Sequence, residues 1–147
     1  MIRVGRNQEA KGNEIMRRMV MMVMVAAFFV ALSAGTALAE SDPAIRGTNA
    51  GDALYGTSIV DTIYGFGGAD LIYGYGGADT LYGGNESGWG DKILGGGADD
   101  RILGQAGDDA LYGQAGNDVM NGGYGNDLIV GGYGSDLLNG GPGFDQV

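Results

Sequence analysis

From Gly47 to Val147 the chain repeats every nine residues. Units begin at Gly47, Gly56, Gly65, Gly74, Gly83, Gly95, Gly104, Gly113, Gly122, Gly131 and Gly140, and nine of the ten steps are nine residues long. The long unit, GGNESGWGDKIL at 83–94, carries three extra residues around Glu86 to Trp89. A period this short excludes an ordinary globular core, because each unit can bury its apolar residue only against its neighbours in a stack. Three positions never vary in type. The first is glycine. The sixth is Asp52, Asp61, Asp70, Asp79, Asp91, Asp100, Asp109, Asp118, Asp127, Asp136 and Asp145. The eighth is apolar: Leu54, Ile63, Ile72, Leu81, Ile93, Ile102, Leu111, Met120, Ile129, Leu138 and Val147.

These positions predict a conformation. Three residues around the eighth position, such as Leu128-Ile129-Val130, alternate out, in and out as a short strand. The other six turn the chain, and glycine supplies the positive φ that tight turns need. Two units make one coil with two strands, and successive coils pair strand on strand about 4.8 Å apart. The expected fold is all-β: a right-handed parallel β-roll of about five coils, since parallel crossovers are right-handed. Stacking brings each aspartate beside that of the second unit along, as in Asp109 with Asp127, Asp118 with Asp136, and Asp127 with Asp145. Bare, such rows of like charge are unfavourable.

The units resemble the nonapeptide repeat of the repeats-in-toxin (RTX) family, G-G-x-G-x-D-x-U-x with U apolar. The likeness covers residues 47–147. It implies several Ca²⁺ ions held between successive turns by turn carbonyls and aspartate carboxylates, an interior aspartate serving two ions. Carried over residue by residue, the implied ligands are Asp70, Asp79, Asp91, Asp100, Asp109, Asp118, Asp127, Asp136 and Asp145. The turn glycines Gly104, Gly107, Gly113, Gly116, Gly122, Gly123, Gly125, Gly131, Gly132, Gly134, Gly140, Gly141 and Gly143 complete the set.

Composition agrees with a hard cation. The chain has no cysteine and no histidine, so thiolate and imidazole metal sites are excluded along with the commonest general base. Residues 40–147 hold three basic residues, Arg46, Lys92 and Arg101, against sixteen acids, a net 3 − 16 = −13. Such a surface repels nucleic acid and anionic membranes and attracts cations. One core side chain per unit does not offset the entropy of ordering nine residues, so the metal-free chain is expected to be largely disordered and to fold on Ca²⁺.

The first 39 residues read differently. Arg17 and Arg18 precede the apolar run MVMMVMVAAFFVAL at 19–32, and Ala37-Leu38-Ala39 gives a small-x-small cleavage pattern. A helical signal peptide over 1–39 is expected, with Met16 as an alternative start and 40–46 as a short linker. The same stretch is just long enough to anchor in a membrane, but Ser33, Gly35, Thr36 and the cleavage pattern favour removal and secretion.

Some units depart from the pattern. GTNAGDALY and GTSIVDTIY lack glycines at the second and fourth positions, so these two are expected to form a cap with weak or absent metal sites. Ala98 stands where a turn glycine is expected. The insertion is expected to loop out and to spoil the Asp70–Asp91 site. The doublets Asp99-Asp100 and Asp108-Asp109 read as consecutive turn positions, not as a catalytic pair, and no enzyme activity is expected. Leu71, Tyr73, Leu94, Tyr112, Leu128 and Val130 are expected on one outer face. That face, or an uncapped C-terminal end, offers a surface for self-association or a partner. The expected function is a secreted calcium-binding structural module, the alternative being an accessory or truncated repeat module of an exported toxin, protease or lipase.

Overall fold

The computed structural model describes residues 44–85 and 89–147. The expected signal segment lies outside them, as do Glu86, Ser87 and Gly88 of the insertion. Among the described residues every regular element is a strand: β1 (Ile45–Arg46), β2 (Ala53–Tyr55), β3 (Thr62–Phe66), β4 (Leu71–Gly76), β5 (Thr80–Asn85), β6 (Lys92–Gly97), β7 (Arg101–Ala106), β8 (Ala110–Ala115), β9 (Val119–Tyr124), β10 (Leu128–Tyr133) and β11 (Leu137–Asn139). They form two parallel sheets, one of six strands in the order β1-β3-β5-β7-β9-β11 and one of five in the order β10-β8-β6-β4-β2. Successive strands in the chain thus alternate between sheets, which is the β-solenoid expected from two units per coil.

The register places like positions on top of one another. Ile93 pairs with Leu111 and Leu111 with Ile129 in one sheet; Leu81 pairs with Ile102 and Ile102 with Met120 in the other. The core is the double column that results: Ile63, Ile72, Leu81, Ile93, Ile102, Leu111, Met120 and Ile129 are buried, and Ile45, Leu54 and Leu138 pack against them. Val147, expected to fill the same position, is exposed.

Two local differences from the sequence reading have physical reasons. Most strands run for six residues, not three. Pairing resumes beyond the first-position glycine, as Gly132 with Gln114 and Tyr133 with Ala115. Positive φ recurs at the second position, within the paired stretch, and again at the fourth, as at Gly132 and Gly134. Secondly, the stretch expected as a linker contains β1. Ile45 lies eighteen residues before Ile63 and pairs with it, so the roll begins before its first glycine.

Outside the core, aromatic residues at the ninth position stack along the sheets. Tyr64 and Tyr82 are nearly parallel with ring centres 4.8 Å apart, the strand spacing itself, and Tyr55 and Tyr73 lie at 5.5 Å. The Arg46 guanidinium caps the first column 5.0 Å from the Tyr64 ring, a cation–π contact.

Candidate metal centre

Each turn presents the aspartate of its sixth position inward. Asp61, Asp70, Asp79, Asp91, Asp100, Asp109, Asp118 and Asp127 are buried almost completely, whereas Asp136 and Asp145 are half-buried. Carboxylates rarely sit so deep without a partner. From Asp70 onward one oxygen has one: Oδ1 accepts the backbone N–H of the aspartate a coil earlier. The distances are 2.9 Å for Asp109 N to Asp127 Oδ1, 2.9 Å for Asp118 N to Asp136 Oδ1 and 3.0 Å for Asp127 N to Asp145 Oδ1. The pairs expected from the period are therefore the pairs that meet.

The other oxygen differs. Oδ2 of Asp70, Asp100, Asp109, Asp118 and Asp127 is buried and has no hydrogen-bond partner. A buried acceptor of this kind is strongly unfavourable in a charged group. Burial pushes the Asp100 and Asp109 carboxyls up to about 7; the N–H groups of Asp79 and Asp91 oppose this in part, and neighbouring aspartates reinforce it. Burial likewise raises Asp70, Asp118 and Asp127. In these five carboxyls burial disfavours the charged form.

The glycines divide into two kinds. Gly107, Gly116, Gly123, Gly125, Gly132, Gly134 and Gly141 have positive φ, from 99° to 147°, and provide the bends. Gly104, Gly113, Gly122, Gly131 and Gly140 are absent from the positive-φ set. They are needed for room. A Cβ on Gly122 would meet Asp127 Oδ2 and the carbonyl oxygen of Gly140, and one on Gly104 would meet Asp109 Oδ2 and the carbonyl oxygen of Gly122, all inside the 3.0 Å that real Cβ atoms keep. Beside the first-position glycines as far as Gly122, then, a carboxylate oxygen of the same unit and a carbonyl oxygen from the next coil converge on the same small space; beside Gly131 and Gly140 only the carboxylate does. Gly143 is similarly crowded by the carbonyl oxygen of Gly125.

This donor set fits calcium. Among the described residues no group of three or more carboxylates, cysteines or histidines converges, so carbonyl oxygens must complete any site. Carboxylate plus carbonyl oxygen is the set that Ca²⁺ accepts and that softer metals do not prefer.

The insertion does not break the stack. Asp70 N reaches Asp91 Oδ1 at 2.7 Å and Asp79 N reaches Asp100 Oδ1 at 2.8 Å, each across twenty-one residues. The three extra residues therefore leave Asp70 and Asp91 stacked like the other pairs. Asp91 is fixed from both sides, because its own N–H donates to Asp109 Oδ1. Ala98 adopts the turn conformation of the glycine it replaces, with φ 78°.

Two features were not anticipated. The fifth position builds its own ladder: the Asp99 carboxylate accepts the N–H of Asn117, whose side-chain oxygen accepts that of Ser135; Asp108, Asn126 and Phe144 repeat the arrangement on the other side. The recurrence of Asp, Asn or Ser at this position in the sixth to tenth units was the available signal. Thr48 and Thr57 are the second feature. In the first two units the Oδ2 of Asp52 and Asp61 is not orphaned. Thr48 donates to Asp52 through N–H at 2.7 Å and Oγ1 at 2.9 Å, and Thr57 to Asp61 at 2.5 and 3.0 Å. In these two turns a hydroxyl and an amide satisfy the oxygen that has no partner in Asp70, Asp100, Asp109, Asp118 and Asp127.

Comparison with curated proteins and with solved structures returns no match. Comparison with protein families does. The RTX calcium-binding nonapeptide repeat matches four times, over residues 46–81, 55–89, 90–120 and 112–147. Stacked turns, a column of buried carboxylates and unbroken coverage from residue 46 to 147 carry one conclusion: the chain belongs to the RTX calcium-binding nonapeptide repeat family.

Proposed function

We propose that this protein is an exported calcium-binding module whose roll folds as Ca²⁺ enters its turns, and that it has no catalytic centre. The observation that carries the reading is the column of buried, unpartnered carboxylate oxygens at Asp70, Asp100, Asp109, Asp118 and Asp127. A divalent cation supplies the charge that this column lacks and turns mutual repulsion into shared coordination. The ligands proposed are the carboxylates of Asp70, Asp79, Asp91, Asp100, Asp109, Asp118, Asp127, Asp136 and Asp145, with carbonyl oxygens of the turn glycines from Gly104 to Gly143. Asp52 and Asp61, already satisfied by Thr48 and Thr57, are left out.

Coupling to folding follows from the same groups. Metal that binds only the ordered turn stabilises the ordered state, and the turns do not exist until neighbouring coils stack. Export through residues 1–39 would deliver the chain to calcium-rich surroundings where weak sites fill. Far-UV circular dichroism and calorimetry during one Ca²⁺ titration test the proposal. A disordered spectrum that becomes β-rich as several ions bind is expected. A β-rich spectrum unchanged by excess EGTA, or equal folding on Mg²⁺, would overturn it.

A further inference from the structure

Among the described residues four side chains other than Ala98 are held at positive φ: Phe66 (80°), Tyr75 (73°), Gln105 (84°) and Gln114 (80°). All four stand at the second position of their units, where other units place glycine. Large residues in this region are strained, and such strain concentrates where a side chain has a task.

The register shows what the four build. Across one sheet, Tyr75, Gly96, Gln114 and Gly132 lie side by side. Across the other, Phe66, Gly84, Gln105 and Gly123 do the same. Each row reads aromatic, glycine, glutamine, glycine. A tyrosine stands next to each final glycine, Tyr133 beside Gly132 and Tyr124 beside Gly123. The first row lines a groove of about 580 Å³ with Tyr73, Leu94, Ala115 and Tyr133. In the second row Phe66, Gly84 and Gln105, without Gly123, line one of about 380 Å³ with Tyr64, Tyr82 and Asn85. Both are grooves open to solvent along one side.

We infer that the two rows form binding grooves, a longer one on the face of Tyr75 and a shorter one on the face of Phe66, for a short neutral oligosaccharide. The aromatic platforms are fixed in advance: Tyr75 stacks on Tyr73 at 5.8 Å and Phe66 on Tyr64 at 5.9 Å. A pyranose ring packs its C–H face on the electron-rich face of such a ring. The glycines leave the floor without side chains, so a flat chain of sugars can lie on it. Gln114 and Gln105 offer an amide that both donates and accepts, which suits hydroxyl groups. Three strand steps separate Tyr75 from Gly132, about 14 Å, enough for more than one ring. Among the described residues no charged side chain lines either groove, and the net −13 of residues 40–147, three bases against sixteen acids, repels acidic glycans. The ligand is therefore uncharged.

The test uses the full chain in saturating Ca²⁺, with cellotetraose, laminaritetraose and mannotetraose as probes in calorimetry and saturation-transfer NMR. Binding of at least one probe at about 0.1–1 mM, near two per chain, is expected. Tyr75→Gly and Phe66→Gly give each position the residue that other units carry there, so circular dichroism should report an intact roll. Each variant is expected to lose one equivalent and the double variant both. Absence of binding by all three probes at millimolar concentration would overturn the inference. So would binding that survives in the folded double variant, or sedimentation showing that the grooves are instead buried between two copies of the chain.

Discussion

The carboxylate of Asp127 holds the N–H of Asp109 through Oδ1 at 2.9 Å and keeps its Oδ2 buried with no partner. One oxygen therefore ties two coils together while the other stays unsatisfied. The stacking contact and the proposed metal ligand belong to the same side chain, and they can be separated by substitution.

Asp127→Asn retains a carbonyl oxygen for the N–H of Asp109 but loses the charge. The roll of the variant is expected to form only at higher Ca²⁺, with the midpoint raised about tenfold, ~1.4 kcal/mol. A Ca²⁺ titration followed by circular dichroism reads this. An unchanged midpoint would remove Asp127 from the ligand set.

Gly122→Ala tests the space beside the carboxylate. Gly122 does not need positive φ, yet its Cβ would strike Asp127 Oδ2 and the carbonyl oxygen of Gly140. A loss of about 1–3 kcal/mol in the Ca²⁺-bound roll is expected, measured by chemical denaturation. Neutral behaviour would show that the turn has slack there.

Thr57 distinguishes the cap from the metal turns. Thr57→Val removes the hydroxyl that Asp61 Oδ2 accepts at 3.0 Å, leaving a buried acceptor short of a bond at about 1–3 kcal/mol. Asp61→Asn, by contrast, is expected to leave the number of bound Ca²⁺ ions unchanged in calorimetry. A fall in that number would place an ion at Asp61.

Acid is expected to act in opposite directions with and without calcium. In the metal-free roll Asp100 and Asp109 titrate near 7, above the ordinary 3.8. The stability this brings is fully present below the unfolded value and is lost as pH rises through about 7. In EGTA, more β-structure is therefore expected at about pH 5 than at about pH 8. With Ca²⁺ the ion competes with the proton, so its midpoint rises as pH falls below about 7. Circular dichroism at both pH values, with and without Ca²⁺, reads both signs.

Ile102 lies at the centre of the core column and is fully buried. Ile102→Ala is expected to destabilise the Ca²⁺-bound roll by about 2–5 kcal/mol, seen as a lower denaturation midpoint. A smaller effect would mean that the coils collapse around the cavity.

Much of this architecture was written in the order of residues. An aspartate and an apolar residue two places later, repeated every nine, specify which side chains stack, because a solenoid has no other way to bury one residue per unit. The pairs Asp109–Asp127 and Ile93–Leu111 follow from counting alone, as do the two sheets. The tertiary structure decided what counting cannot reach. Whether Gly122 bends the chain or makes room depends on φ and on the position of Asp127 Oδ2, and a glycine looks the same in either role. The Asp70–Asp91 contact survived the insertion because hydrogen bonds from both adjoining coils hold Asp91, a constraint invisible in a linear chain. Thr57 could be seen in the sequence, but its hold on Asp61 depends on a turn that exists only once the coils are stacked.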